Sequence, residues 1–538
     1  MAKYNQTSPN ILFAFADDWG RYASCYQKTH GDKSLSALIQ TPNIDRIADE
    51  GTLFTNAFVP APTCTPCRSS LLSGRYFWQT RLGAILNGAV FDKSIPTFPV
   101  LLQDEGYTVG FSDKVWGPGT PINDPYVGDG HRYNNAGSDF GSFSFEATKN
   151  LQKIYGNSEA DKEKAKTPLY TEVDQNFTEF LDKRDLTKPF FYWCGPTNTH
   201  REWQRGSGKE LWDIDPDTLK GRLPDFFPDV ETVREDVSDY LGECMAFDRG
   251  LGVLLEKLEA IGELDNTLIV VSGDHGIPGF PRAKCNLYDI GTEVALMARL
   301  PGTINAGRIV EDMVNLMDLA PTFLEAGGAQ KPEGMISQSL MPVLVSEKSG
   351  QVDAERTFVI TGRERHVASA RDLRLPYPQR ALRTQEFLYI RNFEPERWPM
   401  GDPKGLDDMY AEAPSFEELE HTTRTAYADF DASPTKAWMI HNRAKENQRE
   451  LFTLGFSKRP GEELYNIEKD SHLMCNLSEK SAYQEIKKDL SNRLISILTK
   501  QNDPRVSQKV CPFEHSPYTD PYDPYENVTV AEERWNRS

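Results

Sequence analysis

Four short apolar runs punctuate an otherwise polar chain: ILFAFA (11–16), TVGFS (108–112), FFYWC (190–194) and TLIVVS (267–272). Near-continuous hydrophobicity of this kind marks strands buried on both faces, as in a parallel sheet covered by helices on each side. Helical patterns lie between the runs. Residues 43–51 carry Ile44, Ile47 and Ala48 on one face with Gly51 placed as a C-cap, and residues 234–262 predict a long helix. This alternation predicts an α/β domain over residues 1–370. Beyond it the pattern changes. A strand at 387–391 (FLYIR) is flanked by turns, and a helix at 483–500 places Ile486, Leu490, Leu494 and Leu498 at helical spacing. Residues 371–538 therefore read as a smaller α+β domain. It contains an acidic insert, 402–431, and ends in a Tyr/Pro/Asp-rich extended tail.

Each apolar run is followed at once by polar residues suited to chemistry. Asp17 and Asp18 follow the first, Asp113 and Lys114 the second, Asn198 and His200 the third, Asp274 and His275 the fourth. In an open parallel sheet the ligand site lies at the carboxyl ends of the strands, so the four sets should meet on one rim. Any single pair could be a turn or a helix cap; four together weaken that reading. Asp17, Asp18, Asp274 and His275 make a plausible divalent-metal cage, because crowded carboxylates repel unless a cation neutralises them. Oxygen-rich ligation favours Ca²⁺ or Mg²⁺ over a thiolate metal.

Composition narrows the class. At 38% hydrophobic, 11% aromatic and 26% charged residues over 538 positions, the chain is globular and long enough for a large core. No apolar run approaches the roughly 18 residues of a membrane span. The N-terminus MAKYNQTSPN lacks an apolar signal core, so the chain is either cytoplasmic or written in mature form. Eight cysteines are too few for a disulfide scaffold. The net charge of −20 argues against a coat for nucleic acid or anionic membrane. It would also repel an anionic substrate, unless positive charge gathers where that substrate lands.

The most informative stretch is CTPCRSSLLSGR, residues 64–75. Cys64-x-x-Cys67 alone could be a redox dithiol or half a zinc site, but no second CxxC exists to complete a zinc site. Residues 68–73 read as a helix whose N-terminal amides would face Cys64 and favour an anion there. A nucleophile beside an anion-binding helix start, an arginine and a metal cage is the layout of phosphoryl or sulfuryl transfer.

Cys64-x-Pro66-x-Arg68 followed by LLSGR resembles the signature of the type I sulfatases. FADD (15–18), SGDHG (272–276), AKCNLYDIG (283–291), LPG (300–302), DLAPTFLEAGG (318–328) and ELYNIEKDSHLMCNL (463–477) resemble further elements of that family, in order. The likeness covers nearly the whole chain apart from the insert and the tail. It implies an alkaline-phosphatase-like α/β fold, a large mixed and mostly parallel sheet flanked by helices, with a C-terminal antiparallel sheet. It also implies that a formylglycine-generating enzyme oxidises Cys64 to Cα-formylglycine, and that Asp17, Asp18, Asp274 and His275 bind one Ca²⁺. Many relatives carry Asn where His275 stands. By the same resemblance Arg68 holds the aldehyde hydrate, while Lys114, His200 and Lys284 hold the sulfate or protonate the leaving group. One hydroxyl of the hydrate attacks sulfur, the alcohol or amine departs, and the geminal ester collapses to aldehyde and sulfate. One departure is plain: the family's Lys-x-His is here Lys114-Val115-Trp116.

DHGIPGFPRAKCNLYDIG and NTHREW most resemble the sulfamidase-like branch, which also includes bacterial enzymes acting on sulfated polysaccharide fragments. The expected substrate is a sulfated mono- or oligosaccharide. Arg363, Arg365 and His366 in TGRERHVASAR, together with Arg201 and Trp116, are candidate contacts to neighbouring groups of that glycan. A phosphonate or phosphodiester hydrolase of the same superfamily, or a glycan-binding pseudo-enzyme with unmodified Cys64, are the alternatives. A glycan substrate and Ca²⁺ suggest a periplasmic or secreted location, and a homo-oligomer is possible. The insert holds nine acidic and two basic residues, a large share of the net charge, and reads as solvated exterior around a small cationic pocket.

Overall fold

The computed structural model describes residues 8–120, 125–154 and 156–516; the tail beyond Ser516 lies outside them. Among the described residues fourteen strands occur: β1 (Asn10–Ala16), β2 (Thr52–Phe54), β3 (Ala57–Phe58), β4 (Thr108–Asp113), β5 (His131–Arg132), β6 (Phe190–Gly195), β7 (Thr267–Gly273), β8 (Leu296–Arg299), β9 (Arg308–Val310), β10 (Val314–Asn315), β11 (Phe358–Arg363), β12 (Gln379–Thr384), β13 (Phe387–Asn392) and β14 (Glu462–Asn466). Eight form the large sheet in the order β5-β4-β6-β1-β7-β8-β2-β9. The four apolar runs are the adjacent strands β4, β6, β1 and β7, all mutually parallel, whereas β8 runs antiparallel to both its neighbours.

Their continuous hydrophobicity has the expected cause. Ile11, Phe13 and Phe15 of β1 face one core with Trp193 and Val270, while Leu12, Ala14 and Ala16 face another with Tyr192 and Ile269. The second core is roofed by the helix Glu231–Ala260, which buries Val233, Val237, Tyr240, Leu241, Cys244, Phe247, Leu251 and Leu254 on successive turns. Parallel strands with helices on both faces leave one edge open, and it is the carboxyl edge of β4, β6, β1 and β7.

The smaller sheet is antiparallel, in the order β11-β12-β13-β14, with the helix Gln484–Lys500 laid on it through Leu490, Leu494 and Leu498. Its first strand, β11, precedes residue 370, so the small sheet begins ahead of the expected boundary. No helix among the described residues is long and apolar enough to cross a membrane.

Candidate active site

The rim is built first by β1. Its last residue is Ala16, and the chain then turns through Asp17 and Asp18. Asp18 takes φ +56°, a left-handed conformation that Asp tolerates better than most residues. Two contacts hold it there. The Asp18 amide donates to Asp274 Oδ1 at 2.8 Å, and the Tyr240 hydroxyl donates to the Asp18 carbonyl at 3.0 Å. Asp274 itself follows β7, and its amide donates to the Ala16 carbonyl. Adjacent parallel strands thus set three carboxylates side by side, all fully buried.

Residue 64 arrives on a helix, Cys64–Ser73, longer than residues 68–73 suggested. Pro66 is tolerated in its first turn, where amides have no intrahelical acceptor. The N-cap Thr63 leaves those amides uncapped, because its hydroxyl bonds His366 Nδ1 at 2.6 Å instead. Gly74 ends the helix at φ +60°, and a Cβ there would lie 2.4 Å from Met335 Cγ, so the Gly of LLSGR has a steric reason. Cys64 Sγ lies 3.8 Å from Asp18 Oδ1 and 3.5 Å from His275 Nε2. Arg68, one turn on and fully buried, clamps the carboxylates: Nε to Asp274 Oδ2 at 2.9 Å and Nη2 to Asp17 Oδ1 at 3.0 Å. Its third nitrogen reaches the carbonyls of Lys114 and Val115, behind β4.

Two lysines close the ring. Lys114 Nζ contacts both oxygens of Asp17, at 2.8 and 2.7 Å, and Lys284 Nζ contacts Asp18 Oδ2 at 2.7 Å. Burial would raise both carboxyls. Lys114 and Arg68 hold Asp17 well below the usual carboxylate range, and Lys284 with His200 and His275 does the same for Asp18. His200 stands at the open side, with Nε2 3.5 Å from Lys284 Nζ and Nδ1 2.6 Å from the Arg201 carbonyl.

The donor set fits a hard divalent cation. Asp18, Cys64, Asp274 and His275 offer ligand atoms within 4.8 Å of one another, and Asp17, Asp18, Cys64 and His200 do likewise. Arg68, Lys114 and Lys284 already balance the three carboxylates. A divalent ion would therefore leave a net positive pocket, suited to a tetrahedral oxyanion.

Sequence reasoning missed Asp431. It closes the insert and brings its carboxylate to 3.4 Å from Lys284 Nζ, which Asp18 also contacts. The insert is not wholly solvated exterior: Leu419, Tyr427 and Phe430 are core residues and Asp429 is buried. An acid at a loop end carries no signal of which lysine it will meet, so only the tertiary contact reveals it.

Four of the five expected substrate contacts are placed elsewhere. Arg363 pairs with buried Asp429 and donates to the Cys285 carbonyl at 2.6 Å. Asp429 is held at about 2, because Arg371 and Arg363 outweigh the burial that would raise it. Arg365 donates to the carbonyls of Ser516 and Asn87. Burial pushes His366 down to about 3, leaving a neutral ring on Thr63. These three are structural because β11 and the turn that follows it carry them inward, and all are at most 3% exposed. Trp116 is a core residue whose indole donates to Ser69 Oγ at 2.8 Å. The ring that touches Cys64 is His275, just after β7, with Nε2 3.5 Å from Sγ. Arg201 lines the cleft, but its guanidinium pairs with Asp236 at 2.8 Å and stacks on Trp203.

This sheet, with its helices and the smaller antiparallel sheet, has the alkaline-phosphatase-like fold. The chain belongs to the sulfatase family, whose model matches residues 9–329, and residues 282–430 match the C-terminal region of N-sulphoglucosamine sulphohydrolase. It is 25% identical to an ulvan-active sulfatase of Formosa agariphila, over 91% of this chain and 75% of that one. It is equally 25% identical to human N-sulphoglucosamine sulphohydrolase, over 92% and 91%. Among solved structures, one in complex with its substrate D-glucosamine-2-N,6-O-disulfate superposes with TM-score 0.59 at 19% identity, covering 94% of this chain and all of the other. A phosphonate monoester hydrolase of Agrobacterium radiobacter gives 0.60 at 17%, over 92% and 96%, a likeness of fold.

Proposed function

We propose that this sulfatase removes sulfate, as an ester or N-sulfate, from a sulfated saccharide, using Cys64 matured to Cα-formylglycine and a calcium ion held by Asp17, Asp18, Asp274 and His275. The observation that carries the reading is the placement of residue 64 at an uncapped helix start, within 4 Å of Asp18 and His275 and one turn from Arg68. The relatives named above support the substrate class. When present, the hydrated aldehyde supplies a hydroxyl nucleophile and the cation supplies charge against sulfate oxygens.

The chain's own groups do the rest. Arg68 fixes Asp17 and Asp274 so that neither drifts from the rim. Lys114 and Lys284 present ammonium groups on two sides of the pocket, where they stabilise charge developing on the sulfuryl oxygens. His200 Nδ1–H donates to the Arg201 carbonyl, which leaves Nε2 facing the cleft. Once protonated there, Nε2 gives its proton to the departing oxygen or nitrogen. A calcium-dependent enzyme for glycans fits a periplasmic or secreted location.

The test is coexpression with a formylglycine-generating enzyme. Intact mass should fall by about 18 Da for the thiol-to-aldehyde conversion. Sulfate release is then assayed on defined glucosamine N-sulfate, glucosamine 6-sulfate and ulvan oligosaccharides. An unshifted mass, or faster release of phosphate than sulfate from matched esters, overturns the reading.

A further inference from the structure

An open pocket of about 430 Å³ adjoins the rim, where Asp17, Lys114 and His200 share its lining with Ser142, Phe145 and Glu202. It is larger than a sulfate group needs, so most of it is left for whatever carries the sulfate. Its far wall is built from the helix Phe143–Ile154. Phe143 and Ala147 point into the core, whereas Phe145, in the same first turn, is 38% exposed. A lone exposed aromatic is ordinary on a surface. This one lines the same pocket as the catalytic groups. The 139–142 turn lies close against the His200 loop, since a Cβ on Gly141 would come 2.6 Å from Thr197 Oγ1.

We propose that Phe145 is the stacking platform for the pyranose ring that bears the scissile sulfate. The inference rests on the saccharide-sulfatase reading and specifies where its sugar lies. The physical basis is the face of the benzene ring, which is negative and attracts the weakly positive axial C–H groups of a sugar. Burial of the apolar sugar face adds to this. In the same pocket the half-exposed Glu202 carboxylate, 3.4 Å from His421 Nδ1, is available to accept hydrogen bonds from ring hydroxyls. The same negative charge disfavours a second sulfate or a uronate carboxylate at that end of the ring. The pocket thus takes a monosulfated sugar with free neighbouring hydroxyls.

Binding is measured by calorimetry on the full chain carrying Cys64→Ser, so that no turnover intervenes, in calcium. The probes are glucosamine N-sulfate, glucosamine 6-sulfate, a sulfated ulvan disaccharide and inorganic sulfate. Phe145→Ala in this background should weaken the best-bound saccharide about tenfold, the size of a truncated aromatic anchor, and leave sulfate affinity within twofold. Phe145→Trp should restore saccharide affinity. Equal weakening for sulfate and saccharide, no weakening, or failure of every saccharide to bind overturns the proposal. Weakening confined to saccharides, in an enzyme whose mature form releases no sulfate, would uphold this subsite while refuting the catalytic reading.

Discussion

Single charges in this protein are decided by what is buried next to them. Arg363 looked like a glycan contact in a basic segment, yet it is the internal counter-ion of Asp429. Replacing Arg363 by Ala leaves that carboxylate buried with Arg371 as its remaining partner. The expected outcome is a loss of stability of about 3 kcal/mol, read from urea unfolding, with equal loss of activity on glycan and on aryl sulfate. A loss confined to the glycan would restore Arg363 to the substrate. Asp431 behaves differently, because its only ionic partner among the described residues is Lys284. Asp431→Asn should let that ammonium settle on Asp18 and lower kcat about tenfold, or roughly 1.4 kcal/mol, with no change in melting temperature. Unchanged kcat would show that Asp18 alone positions Lys284.

At the scale of an element, the helix Glu231–Ala260 does more than roof a core. It buries Asp239, Glu243 and Asp248 along its length, and each accepts hydrogen bonds from the start of a neighbouring helix: Gly206 and Gly208, Ser144 (with Asn198 of the loop after β6), and Asn43 and Ile44. Burial pushes Glu243 up to about 7 and Asp239 up to about 8, although those donors oppose it. A carboxyl raised on folding holds its proton in the native state longer than in the unfolded chain. Its stabilisation is therefore complete below about 4.5 and fades as pH rises through about 7. Thermal stability should fall from pH 5 to pH 8, and Glu243→Gln should flatten part of that slope in melts across the range. An unaltered slope in the variant would assign the pH dependence to other groups.

The whole molecule brings one site together from distant segments. Asp431 closes an insert between two strands of the small sheet, and the four expected metal ligands lie far from it in the chain: Asp17 and Asp18 follow the first strand, Asp274 and His275 the seventh. Locking them to one cation should stabilise the fold by mass action, by about 2.7 kcal/mol at a hundredfold excess over Kd. Chelation should lower the melting temperature and calcium should restore it, while Asp274→Asn should abolish the response. A calcium response retained by that variant would move the cation elsewhere. The net charge of −20 is compatible with all this. The insert supplies much of it on its exposed side, and the pocket keeps Arg68, Lys114 and Lys284 among buried walls where charge is least screened.

The sequence alone determined what depends on local pattern. Apolar runs that need cover on both faces could only be central parallel strands, and the polar residues ending them could only meet at one edge. The pentapeptide that begins at Cys64, the first turn of a helix, carried the resemblance on which the chemistry is read. Only the tertiary structure decided which cations face substrate and which face inward. Arg363 and Arg365 are as basic in sequence as Lys114 and Lys284, but the small sheet turns them toward Asp429 and backbone carbonyls. An ion pair between residues far apart in the chain leaves no periodicity to read. Its partner is fixed by tertiary packing, as the side of a helix that borders a pocket is, and that is why Asp431 and Phe145 came to light only in the folded molecule.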